Sequence, residues 1–221
     1  MSRPALSTAR SVGLVAPECP LLYRTLRGPV RAALERWFDL RVAGLEHLPR
    51  SGPYIVAANH HNYLDGVVLG ATVPAPVAFI VMPRVWRATP LHPIFHRHIG
   101  SIPINLERPD FGALRRALAH LERGGVVGIF PEGPFSVRGR LERGLPGVAL
   151  LALKAGVPVV PAALHGTYEA LHRRPLHLPR LTPLAVRFGP PMHFSRDGAR
   201  GRDARHGVTE RIMNDIAALL P

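Results

Sequence analysis

Residues 54–65 read Tyr-Ile-Val-Ala-Ala-Asn-His-His-Asn-Tyr-Leu-Asp, and they contain the organisation of the whole chain in miniature. Tyr54 to Ala58 is a short apolar run behind the turn signal Gly52-Pro53, the pattern of a buried strand. From Leu64 to Val73 the spacing becomes helical. A strand therefore ends and a helix begins across Asn59, His60, His61 and Asn62. The alternation repeats downstream. Val77–Met82, Ser101–Asn105, Val126–Phe130, Val157–Leu164 and Leu184–Phe188 read as strands. Pro93–Ile99, Phe111–Arg123, Val148–Lys154 (ended by Gly156) and Asp203–Leu220 read as helices. Strands that alternate with helices predict an α/β fold, a single layered domain whose mostly parallel central sheet is flanked by helices.

Length and composition agree. The chain has 221 residues, 47% of them apolar, which is enough for one substantial core and too little for two large domains. Cys19 is the only cysteine, which excludes an intramolecular disulfide and any zinc site that needs two thiolates. No stretch offers 18 uninterrupted apolar residues. The nearest, Leu145 to Leu164, is broken by Pro146, Lys154, Gly156, Pro158 and Pro161.

The N-terminal part divides in two. Residues 1–19 mix Ser, Pro, Ala and Arg without periodicity and read as a mobile leader. In residues 20–40, Leu22, Leu26, Val30, Ala33, Leu34, Trp37 and Phe38 recur at helical steps, with Arg24, Arg27, Arg31 and Glu35 between them. This predicts an N-terminal amphipathic helix with a basic face, kinked or divided at Gly28-Pro29. Such a helix can lie in a lipid interface or simply pack on the core. Residues 41–221 form the main domain.

Lys plus Arg number 28 against 15 Asp plus Glu, a formal charge of +13. That bears on partners, not on fold: anionic lipid surfaces, phosphate-bearing substrates or nucleic acid. The arginines are scattered rather than clustered in a run, and no zinc-finger, helix-turn-helix or RNA-binding aromatic signature occurs. Nucleic acid is therefore not expected as a partner.

Three segments can carry chemistry. The first is the strand-to-helix junction itself, the usual place for ligands in an open α/β sheet. His60 and Asp65 stand five positions apart, about 140° on a straight helix, so they meet only if part of the segment is loop. If they do, the carboxylate fixes the imidazole tautomer and stabilises the imidazolium of a general base. The competing reading makes Asn62 and Asp65 a helix cap with no catalytic part. The second segment is Ile129-Phe130-Pro131-Glu132-Gly133-Pro134-Phe135-Ser136, where a carboxylate sits on a tight turn after a strand. The third is Gly100 to Arg108, a strand leading to an arginine able to pair bidentately with phosphate.

Taken together and in order, these segments resemble the glycerolipid acyltransferases, the lysophosphatidic acid and glycerol-3-phosphate acyltransferase superfamily. The family's first block, His, four residues, then Asp, is similar to His60 to Asp65 behind Asn59. Gly100 to Arg108 resembles its second block, and Phe130-Pro131-Glu132-Gly133 its third. Val157-Pro158-Val159-Val160-Pro161 is similar to its fourth. The likeness runs from about Gly44 to about Phe188.

The resemblance implies His60 as general base and Asp65 as its orienting partner. It implies Asn59, Arg108, Glu132, Gly133, Arg138 and Arg140 as substrate-binding residues, with the last two arginines as alternatives for one role. It implies direct transfer of a fatty acyl group from acyl-CoA or acyl-carrier protein, as co-substrate, to lysophosphatidic acid or a related lipid alcohol. No cofactor and no metal are expected, and no Gly-x-Ser-x-Gly elbow is present. The expected setting is peripheral, on the cytoplasmic face of the cell membrane, against an anionic surface. Two departures bear on the acceptor. Pro134-Phe135-Ser136 stands where the family commonly has Thr-Arg-Ser, and Asn105-Leu106 where it often has Asp-Arg.

His92, His96 and His98 form a His-rich cluster without a nearby acid, read as part of a basic helix rather than a metal site. Trp86 and Phe95 can line an acyl path or pack in the core.

Overall fold

The computed structural model describes residues 21–82, 96–97, 99–105, 110–171, 178–195 and 201–221. The expected leader and the segment holding Arg108, Trp86, Phe95, His92 and His98 lie outside them.

The elements are α1 (Leu21–Phe38), β1 (Arg41–Ala43), a 3-10 turn (Leu45–His47), β2 (Tyr54–Ala58), α2 (Tyr63–Thr72), β3 (Val77–Val81) and β4 (Ile102–Pro103). They continue with α3 (Phe111–Glu122), β5 (Val126–Ile129), α4 (Gly147–Ala155), β6 (Val159–His165), α5 (Thr167–Leu171), β7 (Ala185–Phe188) and α6 (Arg202–Leu219). The strands form one seven-stranded sheet in the order β1-β7-β6-β2-β5-β3-β4. Every pairing is parallel except β6 with β7. The expected α/β layering with a mostly parallel sheet is what the chain adopts.

β2 lies inside this sheet, between β6 and β5, and all five of its residues are buried. That explains why its sequence is apolar throughout instead of alternating. Its side chains still alternate between layers. Tyr54, Val56 and Ala58 join one core with Leu34 and Phe38 of α1 and Val68 and Leu69 of α2. Ile55 and Ala57 join the other, with Ala117 and Leu121 of α3, Leu151 of α4, and Ile212 and Ile216 of α6.

Local rules account for some of the boundaries. Asp110 Oδ1 accepts the Ala113 N–H at 2.8 Å and starts α3. Gly156, left-handed at φ 62°, ends α4. Gly28-Pro29 does not divide α1, which runs unbroken from Leu21 to Phe38 with Pro29 inside it and exposed. The helix is held from outside: Tyr23 Oη donates to Gly70 O at 2.9 Å and accepts the Val77 N–H at 3.3 Å. β1 and α5 went unread in the sequence because three and five residues are too few to show a period. β1 exists through its register with β7, and Arg41 N donates to Leu184 O at 2.9 Å.

No helix among the described residues is long and apolar enough to cross a membrane.

Candidate active site

β2 delivers Asn59 and His60 at its C-terminal end, beside β6 and β5. Asn59 is 1% exposed, and its amide is used on the sheet. Leu164 N donates to Asn59 Oδ1 at 2.7 Å, and Asn59 Nδ2 donates to Leu164 O at 2.9 Å. The side chain thus continues the β2–β6 ladder by one rung while the main chain turns away to present His60.

Asn62 is extended (φ −169°, ψ −170°) and caps α2, its Oδ1 accepting the Leu64 N–H at 2.9 Å. His60 and His61 therefore precede the helix, and the angle expected on a straight helix does not apply. Asp65, fully buried, reaches back with a single oxygen. Asp65 Oδ2 accepts His61 N at 2.6 Å and Asn62 N at 2.7 Å, and lies 2.9 Å from His60 Nδ1. The capping box and the His–Asp pair are one structure rather than alternatives. Because this oxygen already takes two backbone N–H groups, its contact with the imidazole assigns the proton to Nδ1. The Nε2 lone pair is left available as a base.

The loop after β5 holds His60 from both sides of its peptide. Glu132 Oε1 accepts the His60 N–H at 2.7 Å, and His60 O accepts the Ser136 N–H at 2.8 Å. Glu132 Oε2 accepts the Glu142 N–H at 2.6 Å, so the same carboxylate closes the loop on itself. Glu132 is 4% exposed, and burial pushes its pKa up to about 7. The Phe130 ring stacks on the imidazole with centroids 3.8 Å apart and 5° between planes. Phe135 meets it edge-on at 4.6 Å. Gly133 turns the loop at φ 78°, where a Cβ would stand 2.7 Å from Leu145 Cδ1.

Around the imidazole opens a mainly apolar cavity of 770 Å³. It follows α2 from His60 and Tyr63 past Gly66 to Gly70, with Phe79 and Phe130 in its lining and Tyr23 of α1 at the far end.

The other expected residues divide. Gly133 lines the cavity. Arg138 and Arg140 are exposed on a turn pinned by Ser136, whose Oγ donates to Arg140 O at 2.7 Å. Neither guanidinium has an ion-pair partner among the described residues. Asn59 and Glu132 hydrogen-bond backbone groups at and around His60. Arg108 is outside the described residues. Of the histidine cluster only His96 is described, with Nδ1 3.0 Å from Ser101 Oγ. Sequence reading overlooked His61, whose Nδ1 lies 2.9 Å from Thr167 Oγ1 and ties α5 to the site. Burial lowers its pKa against the opposing pull of Asp65 and Glu169, which favours a neutral ring. It also overlooked Ser136, which only the folded loop brings to His60.

The family described as Acyltransferase matches residues 39–165, more than half of the chain. A lyso-ornithine lipid O-acyltransferase of Pseudomonas aeruginosa is 34% identical over 183 residues, covering 73% of this chain and 68% of that protein. A chloroplastic 1-acyl-sn-glycerol-3-phosphate acyltransferase of Arabidopsis thaliana is 28% identical over 179 residues, covering 80% of this chain. The chain spans 50% of that plant protein's length and 38% of a Brassica napus counterpart's. The crystal structure of a 1-acyl-sn-glycerophosphate acyltransferase from Thermotoga maritima shares the fold, with a TM-score of 0.69 at 22% identity. That superposition covers 93% of this chain and 83% of the other. With the family match lying across β2, α2 and the loop that grips His60, the chain belongs to the acyltransferase family.

Proposed function

We propose that this chain is a lipid O-acyltransferase that moves a fatty acyl group from a thioester, acyl-CoA or acyl-carrier protein, to the hydroxyl of a lysolipid. The observation that carries the reading is the His60–Asp65 pair opening on an apolar cavity. The acceptor O–H gives its proton to His60 Nε2 as the oxygen attacks the thioester carbonyl. Asp65 offsets the charge of the imidazolium. When the tetrahedral intermediate collapses, the C–S bond breaks and the imidazolium protonates the leaving thiolate. The acyl chain lies along α2, in a cavity whose lining suits a hydrocarbon.

The acceptor in this proposal is lysophosphatidic acid or a related glycerol-phosphate lipid, which would place the enzyme in phospholipid synthesis; the plant relatives are named for 1-acyl-sn-glycerol-3-phosphate. A second reading, a lysolipid without that phosphate, has its own support. Phe135 rather than a basic residue stands beside His60, and a relative at 34% identity is named for lyso-ornithine lipid. The enzyme would work as a peripheral protein on an anionic bilayer, to which exposed Leu21, Leu26 and Trp37 of α1 add apolar contact.

The test offers purified protein labelled acyl-CoA or acyl-carrier protein together with lysophosphatidic acid or lyso-ornithine lipid. Wild type and His60→Ala are compared. Acyl transfer that depends on His60 is expected, and the preferred acceptor separates the two readings. Equal product from both proteins defeats the assignment.

A further inference from the structure

A second cavity, of 420 Å³, lies between α1 and the turn joining α2 to β3. Its lining includes Arg24, Arg27 and Arg31, spaced one and two helical turns apart on the same face of α1. Opposite them stand Pro74 and Pro76, which have no N–H and add no donors. Arg27 is anchored, its Nη1 donating to Pro74 O at 2.9 Å, while its buried Nε has no partner among the described residues. Arg31 gives its Nε to Glu35 Oε1 at 2.8 Å. Arg24 has no ion pair among the described residues. Three arginines thus line one small cavity against one paired carboxylate. Like charges so close repel, and an anion with several oxygens relieves the repulsion while engaging the free N–H groups.

The position narrows the ligand. His60 sits at the N-terminal end of α2 and the arginine cavity just beyond its C-terminal end, about 15 Å apart along the helix. Tyr23 and Arg27 line both cavities. The anion site therefore adjoins the apolar cavity across Tyr23 and Arg27, yet is remote from the atom at which the acyl group is transferred. An amphipathic molecule fits this arrangement, with its phosphate among the arginines and its hydrocarbon part toward the apolar side. A substrate headgroup, which must lie beside the reacting hydroxyl, does not.

We infer that Arg24, Arg27 and Arg31 form a binding site for the phosphate of an anionic bilayer phospholipid, separate from the acceptor site. The inference rests on the peripheral-membrane reading above and gives it a specific point of attachment.

The experiment measures partitioning of the full chain onto phosphatidylcholine vesicles with and without phosphatidylglycerol. Wild type, Arg24→Gln/Arg31→Gln, and the control Arg115→Gln/Arg123→Gln are compared, with folding checked by thermal melting. Arg115 and Arg123 are exposed and lie on or beside α3, on the other side of the sheet. The expected result is roughly 30-fold weaker partitioning onto the anionic vesicles for the α1 pair, and near-wild-type behaviour for the control. Equal losses in both double variants would assign the attraction to diffuse charge and overturn the site. So would wild-type partitioning by the α1 pair. If wild type itself ignores phosphatidylglycerol, the peripheral-membrane reading falls as well. Should the α1 double variant melt early, Arg24→Gln alone is used, with about a fivefold loss expected and no loss overturning the site. Inorganic phosphate is titrated in parallel, and tight binding of that ion without lipid preference would identify a free-phosphate site instead.

Discussion

The amide of Asn59 makes with the main chain of Leu164 both hydrogen bonds that a neighbouring strand would make there, at 2.7 and 2.9 Å. Only an amide has a donor and an acceptor side by side in this way. The swap frees the backbone after Ala58 to leave the sheet, and His60 emerges from that departure.

Asn59→Asp should therefore be severe although it is isosteric. A carboxylate cannot donate to the buried Leu164 carbonyl, and one unmade buried hydrogen bond costs about 1–3 kcal/mol. A fall in melting temperature of about 5 °C is expected, together with a kcat lowered on the order of 100-fold at little-changed KM. Steady-state kinetics on the folded variant decide the matter. An unchanged kcat would show that the ladder extension does not position His60.

Asp65→Asn tests the pair itself. The side chain can still cap α2 but no longer offsets an imidazolium, so kcat should drop by roughly 10³-fold, and His60→Ala by at least as much. Melting curves close to wild type for Asp65→Asn, alongside that loss, would separate catalysis from capping. Full activity in Asp65→Asn leaves Asp65 as a cap alone.

Glu132 carries a pH signature. Its folded pKa is raised from 4.5 to about 7, so between these values the folded protein holds a proton that the unfolded chain has released. The stability this contributes is fully present below about pH 4.5 and is lost as pH rises through 7. The difference is on the order of 3 kcal/mol. Glu132→Gln should remove this component of the slope. It should also lower activity, because the new amide can accept from His60 N or Glu142 N but not from both. Denaturant titrations across pH 4.5–7.5 make the comparison, and identical slopes in the two proteins would refute it.

Gly66 faces the cavity along α2, and a Cβ added there meets nothing within 4 Å. Gly66→Leu should fold at least as well as wild type, since glycine costs a helix interior about 1 kcal/mol. It should also shift use toward shorter acyl chains. Competition between labelled thioesters of different length reads this out, and an unaltered profile would place the acyl chain elsewhere.

The longer helices and most of the strands were legible in sequence because their signals are local. Tyr54–Ala58 coincides with the predicted strand, α2 and α3 differ by a residue at the ends, and Gly156 stops α4 as expected. The strand β1 was not legible. β1 owes its existence to pairing with β7, a partner far along the chain that no local pattern announces. The site behaves the same way. The spacing of His60 and Asp65 announced a pairing because only a few residues separate them. What Asn59 and Glu132 do was hidden, because their partners lie 105 and 72 positions away.

By itself, then, the amino-acid order determined the alternation of strand and helix, the basic excess, and the imidazole–carboxylate spacing at a strand's end. Each is a property of neighbouring residues, set by side-chain periodicity and short turns. Tertiary structure alone decided that Asn59 serves the sheet, that Glu132 and Ser136 hold the peptide of His60, and that three arginines of α1 share one cavity. Such contacts form only when the sheet brings distant backbone groups within hydrogen-bonding reach, and burial there leaves polar atoms no water as an alternative partner.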